Sequence, residues 1–212
     1  MQIKTFIVNP IEVNCYLLWD ETNEAVLIDC GAWSNEERER IRLFIQSQGL
    51  TLKHYLNTHL HFDHIFGNAW VEETLGVKAE ASDKDWSWAE SIAERVARFG
   101  IRYEEKIPAL GRILKDGDEI TFGNQKIEVI AVPGHSPGSL AYHIPQKKVL
   151  FTGDALFCQS IGRTDLPTGD YDMLMKMLNT KILTLDDDCE VLPGHGPNTT
   201  IGDEKNMNPF LI

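Results

Sequence analysis

The chain has 212 residues, of which 42% are hydrophobic and 25% are charged, and its formal net charge is −12. A chain of this length and composition can bury a substantial core, and we expect one domain over residues 1–212. The negative charge argues against binding to nucleic acid or to an anionic membrane surface, and no apolar run approaches the roughly 20 residues of a membrane span. Residues 1–10 lack the apolar core of a secretory signal, so we expect a cytoplasmic location.

The N-terminal part of the chain predicts three strands followed by a helix. The predicted strands cover residues 3–8, 15–19 and 25–29. Ser34 is suited to begin the helix, because Glu37 three positions later completes a capping box. Gly49 is suited to end it.

Four side chains of metal-binding type then occur within six consecutive positions, namely His59, His61, Asp63 and His64. They lie between a predicted strand over residues 52–57 and a predicted helix over residues 67–75. Residues i and i+2 share a face in an extended segment but not on a helix, so His59 and His61 belong to a strand end or a loop. Imidazole and carboxylate together suit zinc and other divalent transition metals. The pattern therefore predicts a metal site, and a merely hydrogen-bonded polar loop is the weaker alternative.

The remaining elements alternate groups of strands with single helices. Strands are predicted over residues 77–81, 119–122, 126–132, 140–144, 149–151 and 190–192, and helices over residues 83–99 and 170–183. Residues 102–118 show no clear pattern. Trp88 lies off the apolar stripe of its helix, where packing against a loop is favoured over a place beside a substrate pocket. This order fits two mixed sheets covered by helices better than one doubly wound parallel sheet.

Three more candidate ligands each follow a strand-like run and stand next to a glycine: His135, Asp154 and His195. Glycine-rich turns at strand ends allow close backbone approach and present side chains at one edge of a sheet. Each of the three alone is best interpreted as a polar loop residue, but together with the earlier cluster they predict one site. Cys158 follows Asp154 by four residues and could lie near this site, but its spacing alone does not make it a ligand. The four cysteines have no CxxC spacing and fit reduced thiols.

These residues resemble the pattern of the metallo-β-lactamase superfamily, and the resemblance covers nearly the whole chain. Similar segments also occur at Asp29-x-Gly31 and at residues 133–138, 152–154 and 193–196. The resemblance implies an α+β fold, an αββα sandwich in which helices cover both outer faces of two mixed β-sheets. It also implies a first metal ion on His59, His61 and His135, a second on Asp63, His64 and His195, and Asp154 bridging the two. His54 and His143 are then left as structural residues.

Within this superfamily the chain looks like the glyoxalase II-like hydrolases, on residues 162–165 and 208–211. Class B β-lactamases commonly place a cysteine where this chain has Asp154 and are exported, which argues against antibiotic hydrolysis. Glyoxalase II has a C-terminal helical extension that supplies basic residues to the glutathione carboxylate, and no basic cluster lies near Ile212. The resemblance therefore favours thioester chemistry and leaves the thiol carrier open.

The expected reaction is hydrolysis of a small-molecule acyl thioester or related ester by a hydroxide that bridges two divalent metal ions. Zinc is the expected metal, with iron and manganese as alternatives. Asp63 is predicted to orient the hydroxide and to accept its proton. Arg163 is predicted to bind a substrate carboxylate, since guanidinium binds that group bidentately, and a surface ion pair with Asp165 is the equally weighted alternative.

Two other functions fit parts of the same pattern. A persulfide dioxygenase of the same superfamily uses one iron ion on residues equivalent to His59, His135 and Asp154, and metal analysis with oxygen uptake would distinguish it from a hydrolase. A noncatalytic module stabilised by metal is the weakest interpretation, because structural zinc sites favour closed, cysteine-rich tetrahedra. The sequence sets no oligomeric state.

Overall fold

The first half of the chain builds one mixed sheet. The computed structural model describes residues 1–98, 100 and 102–211, and within them this sheet has six strands in chain order. The strands are β1 Gln2–Val8, β2 Val13–Trp19, β3 Glu24–Ile28, β4 Thr51–Leu56, β5 Ala79–Ala81 and β6 Arg112–Ile113. Strands β1 to β3 pair antiparallel, whereas β3 to β6 pair parallel. The carboxyl ends of the parallel strands therefore share one edge of the sheet.

The second half of the chain builds a second mixed sheet. Its strands are β7 Glu119–Phe122, β8 Gln125–Ala131, β9 Leu140–Ile144, β10 Val149–Gly153, β13 Glu190–Pro193 and β14 Thr199–Thr200, and a small separate hairpin is formed by β11 Leu156–Phe157 and β12 Ser160–Ile161. The strand order in the sheet is β14-β13-β10-β9-β8-β7. Only the β10–β13 pair is parallel among these neighbours.

Short helices lie between and around the strands. They are α1 Asn35–Ser47, α2 Phe62–Ile65, α3 Asn68–Trp70, α4 Trp86–Glu90, α5 Ile92–Ala97, α6 Tyr171–Met177 and α7 Ile201–Met207. Wider π-helical turns follow α3 and α6, over Val71–Leu75 and Leu178–Ile182, and 3₁₀ turns occur at Asp83–Asp85 and Pro145–Lys147. None of the helices in the described residues is long and apolar enough to cross a bilayer.

Alternation along the strands separates the molecule into four layers. On β2, Leu17 packs in a cluster with Ile41 of α1, while its neighbour Leu18 packs in the cluster that contains Phe151 of β10. Successive strand residues point to opposite faces, so one face of the first sheet meets a helix and the other meets the second sheet. The outer face of the second sheet is covered by α6, whose Leu174 packs in another buried cluster. The predicted αββα sandwich is therefore confirmed.

Helix α1 begins as the sequence predicts. The Ser34 hydroxyl accepts a hydrogen bond from the backbone N–H of Glu37, and the Glu37 carboxylate accepts one from the backbone N–H of Ser34. The same carboxylate also accepts from the backbone N–H of Asn9, which fixes the turn between β1 and β2 against the start of α1. The capping box thus orders two elements that lie beside the predicted metal site.

Two of the predicted helices have different shapes from those expected. The helix predicted over residues 83–99 is broken at Ser91, whose hydroxyl donates to the carbonyl of Ser87 at 2.6 Å and competes with the backbone ladder. Its predicted end at Phe99 lies outside the described residues. The helix predicted over residues 67–75 begins at Asn68, widens into its π-helical turn and ends at Gly76, where glycine permits the positive φ of 73°.

Candidate metal centre

All seven predicted ligands meet at one edge of the two sheets. His59, His61, Asp63 and His64 follow the carboxyl end of β4, and His135, Asp154 and His195 follow β8, β10 and β13. Because β10 and β13 run parallel, Asp154 and His195 leave their strands at the same edge. The structure thus brings together residues that are up to 136 positions apart, from His59 to His195.

Three histidines form the first group of potential ligands. Nε2 of His135 approaches Nδ1 of His61 to 2.9 Å, and the ring centroids of His59 and His61 are 4.6 Å apart. One nitrogen of each ring lies within 4.8 Å of one nitrogen of the others. Nitrogen atoms this close can bind a single ion, and three imidazoles are a common ligand set for zinc.

The second group contains Asp63, His64 and His195, whose ligand atoms also lie within 4.8 Å of one another. Oδ2 of Asp63 is 3.3 Å from Nε2 of His195 and 3.7 Å from Nε2 of His64. One carboxylate with two imidazoles again suits a divalent transition metal.

Asp154 lies between the two groups. Its Oδ1 is 3.3 Å from Nε2 of His64, and its Oδ2 is 3.6 Å from Nε2 of His195 and 3.7 Å from Nε2 of His135. A single carboxylate therefore contacts nitrogen atoms of both groups. This is the placement that a bridging ligand requires.

The histidines of the cluster are oriented by hydrogen bonds on their other ring nitrogen. Nδ1 of His135 donates to the carbonyl of Arg163 at 2.9 Å, and Nδ1 of His195 donates to the carbonyl of Ile11 at 3.1 Å. Because a carbonyl can only accept, each ring keeps its proton on Nδ1 and turns the Nε2 lone pair towards the cluster. Such outer contacts fix the orientation and the tautomer of a metal ligand.

Asp29 orients His64 directly and His59 through Thr58. Its Oδ2 accepts from Nδ1–H of His64 at 3.0 Å and from the hydroxyl of Thr58 at 2.7 Å, and its Oδ1 accepts from the backbone N–H of Thr58. The Thr58 oxygen in turn is 3.1 Å from Nδ1 of His59 and accepts its proton. The sequence signal at this position is the Asp29-x-Gly31 segment after the largely apolar strand β3, which forms part of the superfamily resemblance but assigns no role to Asp29.

Four buried atoms of the cluster have no hydrogen-bond partner among the described residues: Nε2 of His59, His61 and His64, and Oδ1 of Asp154. Leaving a buried polar atom unpaired costs about 1–3 kcal/mol, so this concentration of unpaired atoms needs a further explanation. A bound cation would satisfy several of them at once. The residues present therefore fit divalent metal ions.

Burial and neighbouring charges together shift the pKa values of the clustered histidines and aspartates. Desolvation, aided by the neighbouring imidazoles, lowers the pKa of His59 well below its usual range and the pKa of His61 to about 3. Burial alone would raise the pKa of Asp154, but His64 and other histidines lower it below its ordinary value. Burial likewise opposes the charge on His64, yet Asp154, Asp29 and Asp63 together raise its pKa. Neutral imidazoles, as at His59 and His61, and ionised carboxylates are the forms that bind a metal cation, whereas His64 would release a proton when a cation binds.

Gly194 packs directly against two of the candidate ligands. A Cβ atom at this position would lie 2.2 Å from Oδ1 of Asp154 and 2.9 Å from Cε1 of His64. The predicted glycine turn is thus needed for close approach rather than for flexibility.

We expect Gly194→Ala to displace Asp154 or His64 and to weaken metal binding by about tenfold or more, with a loss of about 1–3 kcal/mol in the free energy of unfolding. Metal affinity and urea unfolding curves test this. Gly202→Ala in α7 is a suitable control, because its nearest neighbour, the carbonyl oxygen of Asp187, is 3.0 Å from the added Cβ and belongs to no ligand. Unchanged metal affinity in the Gly194 variant would contradict the packing argument.

Asp85 forms hydrogen bonds to both the loop that carries His59 and His61 and the loop that carries His135. No feature of the sequence indicates these contacts. The Asp85 carboxylate accepts from the Ser136 hydroxyl at 2.6 Å, from the backbone N–H of Gly138 at 2.7 Å and from that of Leu60 at 3.4 Å. Burial raises the pKa of this carboxyl group. Leu60 separates His59 from His61 and Ser136 follows His135, so Asp85 fixes the backbone on both sides of the first group.

A cavity of about 800 Å³ opens onto the cluster, and its wall is mainly apolar and aromatic. Trp88 lines it with its ring centroid 4.7 Å from that of His61, so the expectation that Trp88 would only pack against a loop was wrong. Cys158 also lines the cavity and belongs to none of the ligand groups in the described residues.

Arg163 lies on the same wall and forms the ion pair that the sequence left as an alternative. Its Nε and one terminal nitrogen donate to the two carboxylate oxygens of Asp165 at 2.7 and 2.8 Å. Both side chains are largely exposed, at 63% and 70%. A role of Arg163 in binding substrate stays a prediction.

A sandwich of two mixed sheets with a histidine and aspartate cluster at one edge, open to a cavity, defines a metallo-hydrolase fold. The chain belongs to the metallo-β-lactamase superfamily, whose family model matches residues 8–195. The resemblance inferred from the motifs is thereby confirmed.

Individual proteins are similar over the whole chain. Hydroxyacylglutathione hydrolase GloC of Haemophilus influenzae is 38% identical, over 100% of this chain and 98% of the relative. Among solved structures, BLEG-1 B3 metallo-beta-lactamase has a TM-score of 0.90 and 36% identity over 99% of both chains. TTHA1623, solved in a di-iron-bound form, has a TM-score of 0.87 and 35% identity over 98% of this chain and 100% of that one.

Proposed function

We propose that this protein is a glyoxalase II-like hydrolase that cleaves a thioester or a related ester with two divalent metal ions. His59, His61 and His135 would bind one ion, and Asp63, His64 and His195 the other. Asp154 would bind both. The observation that carries the proposal is the position of Asp154, within 3.7 Å of nitrogen atoms of both groups and at the end of an open cavity.

When bound, the metal ions would lower the pKa of water to about 7 and polarise the substrate carbonyl. The residues of the chain supply positioning and proton transfer. Asp63 lines the cavity, and although burial opposes its charge, His64 and His195 lower the pKa of its carboxyl group, so it is ionised and able to accept a proton. Trp88 and Phe157 face the same space and limit access of bulk water to the reacting carbonyl.

The choice of substrate and metal draws on the relatives. The name of the Haemophilus influenzae relative supports a thioester, and the cavity is large enough for a small acyl thioester. Imidazole and carboxylate ligands favour zinc, while the di-iron form of TTHA1623 keeps iron as an alternative, with manganese as a third. We expect the protein to act in the cytoplasm, where its four free cysteines would stay reduced.

The proposal is tested by loading the protein with zinc, iron or manganese and measuring turnover of S-lactoylglutathione, other acyl thioesters, a lactone and a β-lactam. We expect thioester turnover that falls at least about 1,000-fold on chelation and in His61→Ala, because the first metal group is lost. His143→Ala is the matched control, since His143 lies outside the cluster and faces Glu128. Turnover that survives chelation, or β-lactam cleavage without thioester cleavage, would refute the proposal.

A single-iron persulfide dioxygenase is the second candidate, because Asp154 is within 3.7 Å of His135 and also belongs to a group with His59. The complete second group of Asp63, His64 and His195 favours the hydrolase, since a single-iron enzyme does not require it. Metal analysis separates the two functions. Two ions per chain support the hydrolase, whereas one Fe(II) with oxygen uptake on a persulfide would support the oxygenase.

A further inference from the structure

We propose that Arg95 and Arg98 form an anion-binding wall of the cavity and bind a carboxylate on the part of the substrate that does not react. The inference rests on the proposed function and adds the chemical class of its substrate, an acyl thioester with a free carboxylate. Both residues line the cavity that opens onto the metal cluster.

Trp88 connects the metal cluster to Arg95, because its ring contacts both His61 and the Arg95 guanidinium. The ring of Trp88 lies 4.7 Å from that of His61, and the guanidinium carbon of Arg95 lies 3.5 Å from the centroid of the Trp88 ring. This stacking is a cation–π contact, and it holds the guanidinium in one orientation. A substrate whose carbonyl reaches His61 would therefore extend along the indole and place its far end at Arg95.

Among the described residues, no carboxylate forms a hydrogen bond or an ion pair with Arg95 or Arg98, and the nearby Glu94 offsets only part of the charge repulsion at Arg95. Nε of Arg95 donates to the Ser91 hydroxyl at 2.8 Å, and neither Arg95 nor Arg98 forms an ion pair anywhere in the described part of the chain. Desolvation and the neighbouring charge of Arg98 lower the pKa of Arg95. An added anion would relieve this repulsion.

The absence of acidic partners within the described residues is notable in a chain with 32 acidic and 20 basic residues. Arg163, on the same wall, already uses two donors on Asp165, and so its affinity for another carboxylate is reduced. The terminal nitrogen atoms of Arg95 remain available for two hydrogen bonds to a carboxylate. Arg95 on α5 and Arg98 at its C-terminal end line the same cavity as Arg163. We therefore assign the substrate carboxylate to these two arginines rather than to Arg163.

The experiment uses matched thioesters that differ by one charge. The first pair is S-acetyl-N-acetylcysteinylglycine and its C-terminal amide, which places the carboxylate on the thiol half. The second pair is S-glutaryl-N-acetylcysteamine and its glutaramoyl analogue, which places it on the acyl half. We expect the metal-loaded protein to prefer the carboxylate in at least one pair by about tenfold in kcat/KM, the effect of one charge-assisted contact at a partly exposed site. The pair that shows it identifies the half of the substrate that Arg95 and Arg98 bind.

The variants Arg95→Gln, Arg98→Gln and their combination should lower kcat/KM for the carboxylate and leave that for the amide within about twofold. Arg95→Lys should keep part of the preference, because it keeps the charge but loses the flat stacking group. Arg42→Gln is the control, since Arg42 lies on α1, pairs with Glu39 and does not line the cavity. The preference should also shrink as ionic strength rises.

Binding is measured separately, so that failure of the anion wall and failure of the proposed function can be distinguished. Thioether analogues of both pairs, which cannot be hydrolysed, are titrated calorimetrically into the wild type and the arginine variants. Tighter binding of the carboxylate that is lost in the double variant supports the wall even if no thioester is turned over. Equal affinity for carboxylate and amide in the wild type, or a preference that survives the double variant and disappears in Arg163→Gln, would overturn it.

Discussion

Asp154→Asn is expected to lower kcat/KM for the best thioester of the panel by about 1,000-fold. Asp154 is the one carboxylate among the described residues that contacts nitrogen atoms of both ligand groups, with distances of 3.3 Å to His64 and 3.7 Å to His135. Asparagine has nearly the same shape but no charge and only one oxygen, so it cannot serve two cations. A 1,000-fold loss corresponds to about 4 kcal/mol of transition-state stabilisation, which we attribute to the metal ions that Asp154 would help to bind.

The same variant should hold fewer metal ions. We expect the content to fall from two ions to about one or less per chain, measured by elemental analysis after dialysis against a weak chelator. Asp188→Asn is the control, because Asp188 is an exposed carboxylate that pairs with Lys148 on the surface. Two tightly bound ions in Asp154→Asn, with near-normal activity, would show that Asp154 does not bridge.

The candidate site could be predicted from sequence because its ligands obey simple rules. His59 and His61 are two positions apart in an extended segment, and such residues share a face whatever packs around them. His135, Asp154 and His195 each stand beside a glycine at the end of a strand, and the structure shows why at Gly194, where an added Cβ would meet Asp154. The sandwich was predictable for a similar reason, since alternate residues of β2 must face different layers.

The features that could not be predicted depend on contacts that no linear pattern records. Asp85 supports the ligand loops only because Ser136 and Gly138 fold back onto it. The break at Ser91 depends on a local competition for the carbonyl of Ser87, which helix propensity does not register. Helix α7 has seven residues, too few for an apolar period, and its main signal is the cap formed by Thr200.

The position of Trp88 beside the candidate metal site is another feature that the linear sequence pattern does not predict. Its position off the apolar stripe favours packing, whereas its ring lies 4.7 Å from that of His61 and lines the cavity. Arg95, four residues beyond Ser91, reaches the same ring. The contacts of Trp88 with His61 and Arg95 therefore depend on how separate segments pack together, which the order of residue types does not reveal.

Asp29→Asn is the second variant for which we expect a large effect, because it tests the outer contacts of the cluster without touching a ligand. Asp29 is buried and has a φ of 52°, a conformation that asparagine tolerates, so the backbone should be retained. Its two oxygens accept three hydrogen bonds, two from Thr58 and one from Nδ1–H of His64. An amide has one oxygen and cannot accept all of them.

Both orientations of the amide introduced by Asp29→Asn would be unfavourable. If its NH₂ faces His64, two donors meet, and His64 must move its proton to Nε2, where the lone pair is needed for a metal ion. If its NH₂ faces the backbone N–H of Thr58 instead, that buried donor loses its partner, at a cost of about 1–3 kcal/mol. We therefore expect the affinity for the second metal ion to fall about 10- to 100-fold, together with a lower free energy of unfolding.

Competition with a chelator measures the affinity of each ion, and urea unfolding of the metal-free protein measures stability. Asp20→Asn is the matched control. Asp20 is also buried and accepts from Thr22 and from the backbone of Asn124. It follows the carboxyl end of β2, which pairs antiparallel with β3, so it lies at the edge of the sheet opposite Asp29. It should lose stability and keep its metal affinity, whereas Asp29→Asn should lose both. Equal metal affinity in the two variants would mean that the carboxylate behind His64 does not set the ligand's tautomer.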